Sequence, residues 1–133
     1  KETEMTQLIE FMDVMIDEIE KNCNLNEKIS LKELKSEGGI YAEVGESFAE
    51  TVYYNKEEIK MVPILFLCRH KDQRQCMEWL GSICNYLQRL KKYPQGKYFS
   101  WLDTSIKKEP GKIGRDEDGV YHYSCILACK IFY

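Results

Sequence analysis

Six consecutive apolar residues run from Val62 to Leu67, near the middle of the chain. A segment that is apolar at every position places hydrophobic side chains on both faces of a strand. We therefore predict a strand over residues 59–69 that is covered on both sides. Pro63 cannot donate a hydrogen bond to a neighbouring strand, so we expect it near the start of this strand.

Helical and strand-like patterns surround this apolar run. Residues 3–22 and 72–92 each repeat apolar side chains at the spacing of an amphipathic helix, and Asp72 can cap the second helix. Alternating and β-forming residues predict further strands over 40–44, 48–54, 97–107 and 120–133. The predicted fold is α+β, with two main helices packed on a mostly antiparallel sheet of about five strands. The element order is α-β-β-β-α-β-β, in a single domain spanning residues 1–133.

The last third of the chain predicts a loop and a long final strand. Residues 108–119 are polar and contain Pro110 and three glycines, which favours a long charged loop ending in a turn. In the final strand, the odd-numbered residues from Tyr121 onward share one face. The even-numbered residues from Val120 onward share the other face.

Composition narrows the class of protein. The chain of 133 residues has the size of one domain, and its net charge of −3 argues against a dedicated binder of phosphate backbones. No apolar run approaches the ~20 residues needed to cross a bilayer, and we see no secretory leader. We therefore expect the six cysteines to be free thiols in a reducing cytosol, with paired disulfides as the alternative.

No motif in the sequence indicates catalysis. Cys68 and His70 share a strand face, but a buried cysteine beside a strand-end histidine is the simpler interpretation. Cys125 and Cys129 lie about 13 Å apart along a strand, which is too far for one zinc ion. The acidic residues 116–118 lack the further ligands of a calcium loop, and phosphate-binding glycine motifs are absent from the sequence. We predict no catalytic residues, no metal and no cofactor.

Aromatic residues are frequent in the predicted strands, among them Tyr53, Tyr98, Trp101 and Tyr123. Aromatic sheet faces stack nucleobases in some RNA-binding domains. They also pack protein cores and form subunit interfaces. The acidic balance of the chain argues against nucleic acid, so packing or subunit contact is favoured.

Several local segments, spread over nearly the whole chain, carry a family resemblance. They are the acidic helix Met5–Ile19, Ile40-Tyr41-Ala42, the strand Val62–Leu67, Arg69-His70-Lys71-Asp72 before a helix with Trp79, Ile83 and Leu87, Trp101-Leu102-Asp103, the Pro110/Gly114 loop, Asp118-Gly119-Val120-Tyr121-His122-Tyr123, and Lys130-Ile131-Phe132-Tyr133. In this order they resemble the tail-terminator (tail-completion) proteins of long-tailed phages. These proteins are often described as minor capsid proteins, and they also occur in phage-tail-like bacteriocins.

The resemblance implies a ring, usually of six copies, at the head-proximal end of a tail tube. Such a ring stops tube polymerisation and presents a surface to the head. The implied partners are further copies of the chain, the tail-tube protein and the head–tail connector protein, with no membrane. The implied location is the cytoplasm of a bacterial host during assembly, and then the virion or tail-like particle. The family has no catalytic residues.

A ring requires complementary faces on neighbouring copies. The first helix is acidic, whereas residues 89–115 are more basic, so the two regions can attract each other between copies. The candidate subunit interface consists of Arg89, Lys91, Lys92, Tyr98, Trp101, Lys112 and Arg115.

Two other classes of function remain open from the sequence. One is another head–tail connector or a tail-tube subunit, and a tube subunit would polymerise without limit. The other is a small enzyme or nucleic-acid-binding domain. Salt-dependent binding to DNA would indicate the binding domain, and an activity lost on changing Cys68 or His70 would indicate the enzyme.

Overall fold

The computed structural model describes residues 4–25, 27–31, 38–52 and 58–133. Over these ranges the elements are α1 (Glu4–Asn22), β1 (Ile29–Ser30), β2 (Gly39–Val44), β3 (Phe48–Val52), β4 (Glu58–His70), α2 (Gln73–Arg89), β5 (Ser100–Arg115) and β6 (Tyr121–Phe132). The predicted α+β class, with two helices and a mostly antiparallel sheet, is confirmed. The two-residue strand β1 is added to the predicted order. Residue 3 and residues 53–54, which the sequence assigned to elements, lie outside the described ranges.

β4 is the central strand of the sheet. It pairs with β6 along one edge, and its other edge is shared by β2 and β3. The sheet order is β1-β2-β4-β6-β5, with β3 paired to β4 off this path. Among the described pairings, only β1 with β2 is parallel. The apolar run Val62–Leu67 therefore lies at the centre of the sheet.

Pro63 lies inside β4 and not near its start, so that prediction is wrong. Its carbonyl oxygen accepts a hydrogen bond of 2.8 Å from the backbone N–H of Gly45, in the connection between β2 and β3. The nitrogen and carbonyl of a residue in an antiparallel strand face the same neighbour. The proline nitrogen therefore faces the gap between β2 and β3, where the sheet ladder is interrupted and no donor is needed.

Both helices pack on the same face of the sheet. Phe11 of α1 packs edge-on against Phe99 and Trp101, with ring centroids 5.5 and 5.0 Å apart. At the start of α2, Gln73 accepts a hydrogen bond of 2.9 Å from the hydroxyl of Tyr123 in β6. The helices cover the even-numbered side chains of β4 and the odd-numbered side chains of β6. The predicted division of the final strand into two faces is confirmed.

The predicted loop over residues 108–119 is wrong, because β5 continues to Arg115. β5 is an edge strand that pairs with β6, and its register shifts absorb Pro110 and Gly114. An edge strand tolerates proline and bulges because one side of its backbone has no ladder to break. The polar composition of this segment reflects exposure at the sheet edge, and the turn itself spans residues 116–119.

Gly81 offers a test of helix stability. It lies inside α2, and a Cβ atom at this position would meet nothing within 4 Å. We expect Gly81→Ala to raise the free energy of unfolding by about 0.5–1 kcal/mol in urea denaturation, because alanine restricts the unfolded backbone. Gly38→Ala is the contrasting control: φ is +107° and a Cβ would lie 2.3 Å from the Arg69 carbonyl oxygen, so stability should fall. A Gly81→Ala variant no more stable than the parent chain would contradict this expectation.

Candidate assembly surfaces

The sheet face opposite the helices is apolar, and we call it the helix-free face. It is formed by odd-numbered side chains of β4 and even-numbered side chains of β6. Lys130 also lies on this face, and its apolar members are Ile59, Met61, Pro63, Leu65, Leu67, Ile126, Ala128 and Phe132. These residues stand outside the hydrophobic cluster that joins the helices to the sheet. The helices therefore cover one face of β4, as expected. Neither described helix covers the other face.

Polar side chains close one end of the helix-free face. His122 Nε2 lies 2.9 Å from Asp116 Oδ1, and an Arg69 guanidinium nitrogen lies 3.6 Å from the other carboxylate oxygen. The hydrogen bond with His122 is the main cause of the lowered pKa of the Asp116 carboxyl. Ser124 Oγ accepts a hydrogen bond of 2.7 Å from Lys108 Nζ. Ser124 and His122 thus have different partners, and these contacts connect the residues around the β5–β6 turn.

The basic residues of the predicted interface lie in two separate places. Arg89, Lys91 and Lys92 are exposed at the end of α2 and just beyond it. Lys112 and Arg115 are exposed near the far end of β5. The two ends of β5 pair with opposite ends of β6, which lie roughly 36 Å apart at ~3.3 Å per residue. The structure therefore does not unite these residues into one patch.

The two aromatic residues of the predicted interface differ in burial. Tyr98 is half-buried, its backbone N–H bonds to Glu10 at 2.9 Å, and Lys97 Nζ lies 5.3 Å from its ring centroid. Trp101 is only 2% exposed. Its ring centroid is 4.7 Å from that of Tyr93, and its Nε1 donates to Thr104 Oγ1 at 2.9 Å. Trp101 is therefore a core residue, and it is not accessible to a neighbouring subunit.

The candidate Cys68–His70 pair does not form. Cys68 faces the helix layer and shares a thiol hydrogen bond with Cys76, which is the main reason why its pKa is raised. His70 Nδ1 instead accepts a hydrogen bond of 2.9 Å from the Asp72 backbone N–H, and its ring packs edge-on against Trp79. Among the described residues, no three His, Cys, Asp or Glu side chains are grouped closely enough to hold a metal ion.

All six cysteines are free and buried. Burial raises the pKa of Cys23 to about 11 and that of Cys129 to about 12. Cys84 and Cys125 form a second hydrogen-bonded thiol pair between α2 and β6. The thiols thus belong to the core, as free cysteine commonly does.

Thiol titration checks this arrangement. We expect Ellman's reagent to react slowly with the native protein at neutral pH, because buried thiols are inaccessible to the reagent. After denaturation under anaerobic conditions, six thiols per chain should react. Rapid reaction of one or more thiols in the folded protein would contradict the buried placement, and fewer than six after denaturation would indicate a disulfide.

A groove lies between α1 and the β2 edge of the sheet, and we call it the α1–β2 groove. Its volume is about 460 Å³. It is lined by Leu8, Ile9, Met12, Asp13, Leu31, Tyr41, Ala42, Glu43, Val44 and Gly45. Sequence periodicity assigned Ile9 to the apolar stripe of the first helix, but Ile9 is 56% exposed at this groove. Helical spacing shows which side of a helix is apolar. It does not show where the sheet beneath the helix ends, so it does not predict that Ile9 is exposed.

No protein-family model matches the chain, and no curated protein shows significant similarity to it. Across the described ranges, no helix combines the length and apolarity needed to cross a bilayer. The surfaces of the chain itself are therefore the basis for inferring its function.

Proposed function

We propose that this chain is a structural assembly protein that forms a ring on the head-proximal end of a phage tail tube, or of a tail-like particle. The ring stops tube polymerisation and offers a surface for joining the head. Its partners are further copies of the chain, the tail-tube protein and the head–tail connector protein. It is made and assembled in the cytoplasm of the bacterial host and remains in the finished particle.

The helix-free face is the observation that carries this proposal. β4 is apolar on both faces, yet the two helices cover one of them. Six large apolar side chains share the other face: Ile59, Met61, Leu65, Leu67, Ile126 and Phe132. Full burial of such a side chain contributes about 1.5–3 kcal/mol. Completing the burial of these six partly covered side chains is therefore comparable with the lower part of the ~4–15 kcal/mol cost of association. We assign this face to contact within the assembly.

The edge of the sheet favours a closed assembly over an endless one. β5 presents its outer backbone edge along 16 residues, but lysines, Pro110 and four register shifts interrupt it. Such features prevent another strand from adding to an edge. Contacts through faces and side chains, rather than continuous strand addition, are therefore favoured, which suits a terminating ring better than a polymerising tube subunit.

Tube assembly tests the proposal. Purified tail-tube protein is polymerised with increasing amounts of the chain, and the products are imaged by electron microscopy. We expect shorter tubes that carry a ring of extra density at one end, because a bound ring blocks further addition. Tubes of unchanged length without added density would contradict the proposal, and unlimited polymerisation of the chain alone would identify a tube subunit instead.

A further inference from the structure

Large exposed hydrophobic side chains are unevenly placed on the described surface. Ile9 and Leu31 lie at the α1–β2 groove, whereas Leu102 and Ile113 lie on β5. The groove borders the β2 side of the sheet, and β5 forms the opposite edge in the order β1-β2-β4-β6-β5. A single copy therefore has exposed apolar side chains at two opposite edges. Met77, on α2, lies outside both surfaces.

The α1–β2 groove combines an apolar floor with an acidic side chain from α1. Met12, Ala42 and Val44 contribute to the apolar lining. Asp13 is its charged side chain on α1, and no lysine or arginine is among the described residues that line it. Glu43 borders the groove, but its side chain lies on the helix-free face, where its carboxylate accepts a hydrogen bond of 2.7 Å from the Tyr41 hydroxyl. Such a groove suits an apolar side chain that is flanked by cations.

β5 presents a side chain of that kind. Ile113 is 57% exposed and lies at the register shift between Lys112 and Gly114. A bulged residue leaves the regular pairing of the strand and is free to project. Over its length β5 carries four cations, Lys107, Lys108, Lys112 and Arg115, against two acids, Asp103 and Glu109. Ile113 therefore projects from the more basic edge of the sheet.

We propose that Ile113 of one copy inserts into the α1–β2 groove of the next copy, with Lys112 placed beside Asp13. This inference rests on the proposed ring and names its subunit contact. The two surfaces lie at opposite sheet edges and differ from each other, so the contact is head-to-tail. A head-to-tail contact repeats from copy to copy and closes into a ring when the rotation between neighbours is suitable.

Two single variants test this contact. Ile9→Asp places a carboxylate in the groove, and Ile113→Asp places one on the projecting residue. Light scattering is expected to show each variant at the mass of one chain, 15.7 kDa, where the parent chain gives a larger discrete particle. Met77→Asp is the matched control: Met77 is 53% exposed outside both surfaces, so this variant should assemble like the parent.

Mixing the two variants separates lost contact from lost folding. Ile113→Asp keeps an intact groove, and Ile9→Asp keeps an intact projection. One intact contact is therefore available between them, and the mixture should give dimers that grow no further. The second contact stays blocked, because it would bring two introduced carboxylates together beside Asp13. Dimers on mixing support the inference; a mixture that stays monomeric overturns it.

The parent chain distinguishes this inference from the proposed function. A parent ring that both variants still form overturns the groove contact and leaves the ring standing. Parent filaments that both variants abolish support the head-to-tail contact and overturn the terminating ring. A parent chain that stays monomeric in solution and on tail tubes overturns both.

Discussion

Replacing Trp101 with alanine is expected to lower the free energy of unfolding by about 3–5 kcal/mol, because a large buried ring leaves a cavity. The indole packs edge-on against Phe11 at 5.0 Å and lies 4.7 Å from the ring of Tyr93. It also donates to Thr104 Oγ1 at 2.9 Å, so its removal leaves a buried hydroxyl without this partner. Since domains of this size are stable by about 5–15 kcal/mol, the loss should be visible as a large shift in urea denaturation followed by circular dichroism.

Leu102→Ala is the control for Trp101→Ala. Leu102 is the next residue along β5 and is 45% exposed, so its truncation should change the free energy of unfolding by no more than about 0.5 kcal/mol. The pair also separates a core residue from an interface residue. A Trp101→Ala variant that keeps its stability but no longer assembles would return Trp101 to the subunit interface and contradict its buried placement.

Replacing Leu65 with lysine is expected to abolish assembly while the chain stays folded. Leu65 lies on the helix-free face and pairs with Glu43 on one side and with Ile126 on the other. A lysine ammonium opposite Glu43 forms a cross-strand pair of opposite charges, which the isolated sheet tolerates. A neighbouring subunit that covers this face would have to bury the charge, and an unpaired buried charge costs several kcal/mol. Sedimentation should show the variant at the mass of one chain.

Met77→Lys provides the matched control for Leu65→Lys. Met77 is already exposed on α2, so lysine adds the same charge at a place with no assigned contact. This control should assemble as the parent does, and circular dichroism should show that both variants keep their secondary structure. A folded Leu65→Lys variant that assembles normally would remove the helix-free face from the interface.

Much of the fold follows from local patterns in the sequence. The helical spacing of α1 and α2 and the alternation of β6 depend on period and burial alone, and the structure agrees with them. The limits of β5 were missed because residues 108–115 are polar, and polarity at an exposed edge strand looks the same as polarity in a loop. Pro63 was wrongly predicted near the start of β4. The strand accepts a proline at this position because β2 ends and β3 begins beside it, and the sequence does not show where those two strands end.

The surfaces were predicted less completely than the fold. The apolar run Val62–Leu67 indicates that both faces of the strand are covered. The sequence does not show whether the second face is covered by the same chain or by another. Lys112 and Arg115 were selected for their charge and are exposed on β5, beside the projecting Ile113. Trp101 was selected as an aromatic residue of a strand, and its burial depends on contacts with α1 that lie 90 residues away in sequence. Such distant contacts leave no local signal.

The mass of the particle that the parent chain forms, alone and on isolated tail tubes, is the most direct measurement. Copies that cover one another's apolar surfaces should give one discrete species across a wide range of concentration, and the same species should be found at one end of the tubes. A single-chain mass under every condition, with no binding to the tubes, would contradict the proposal that these surfaces serve assembly.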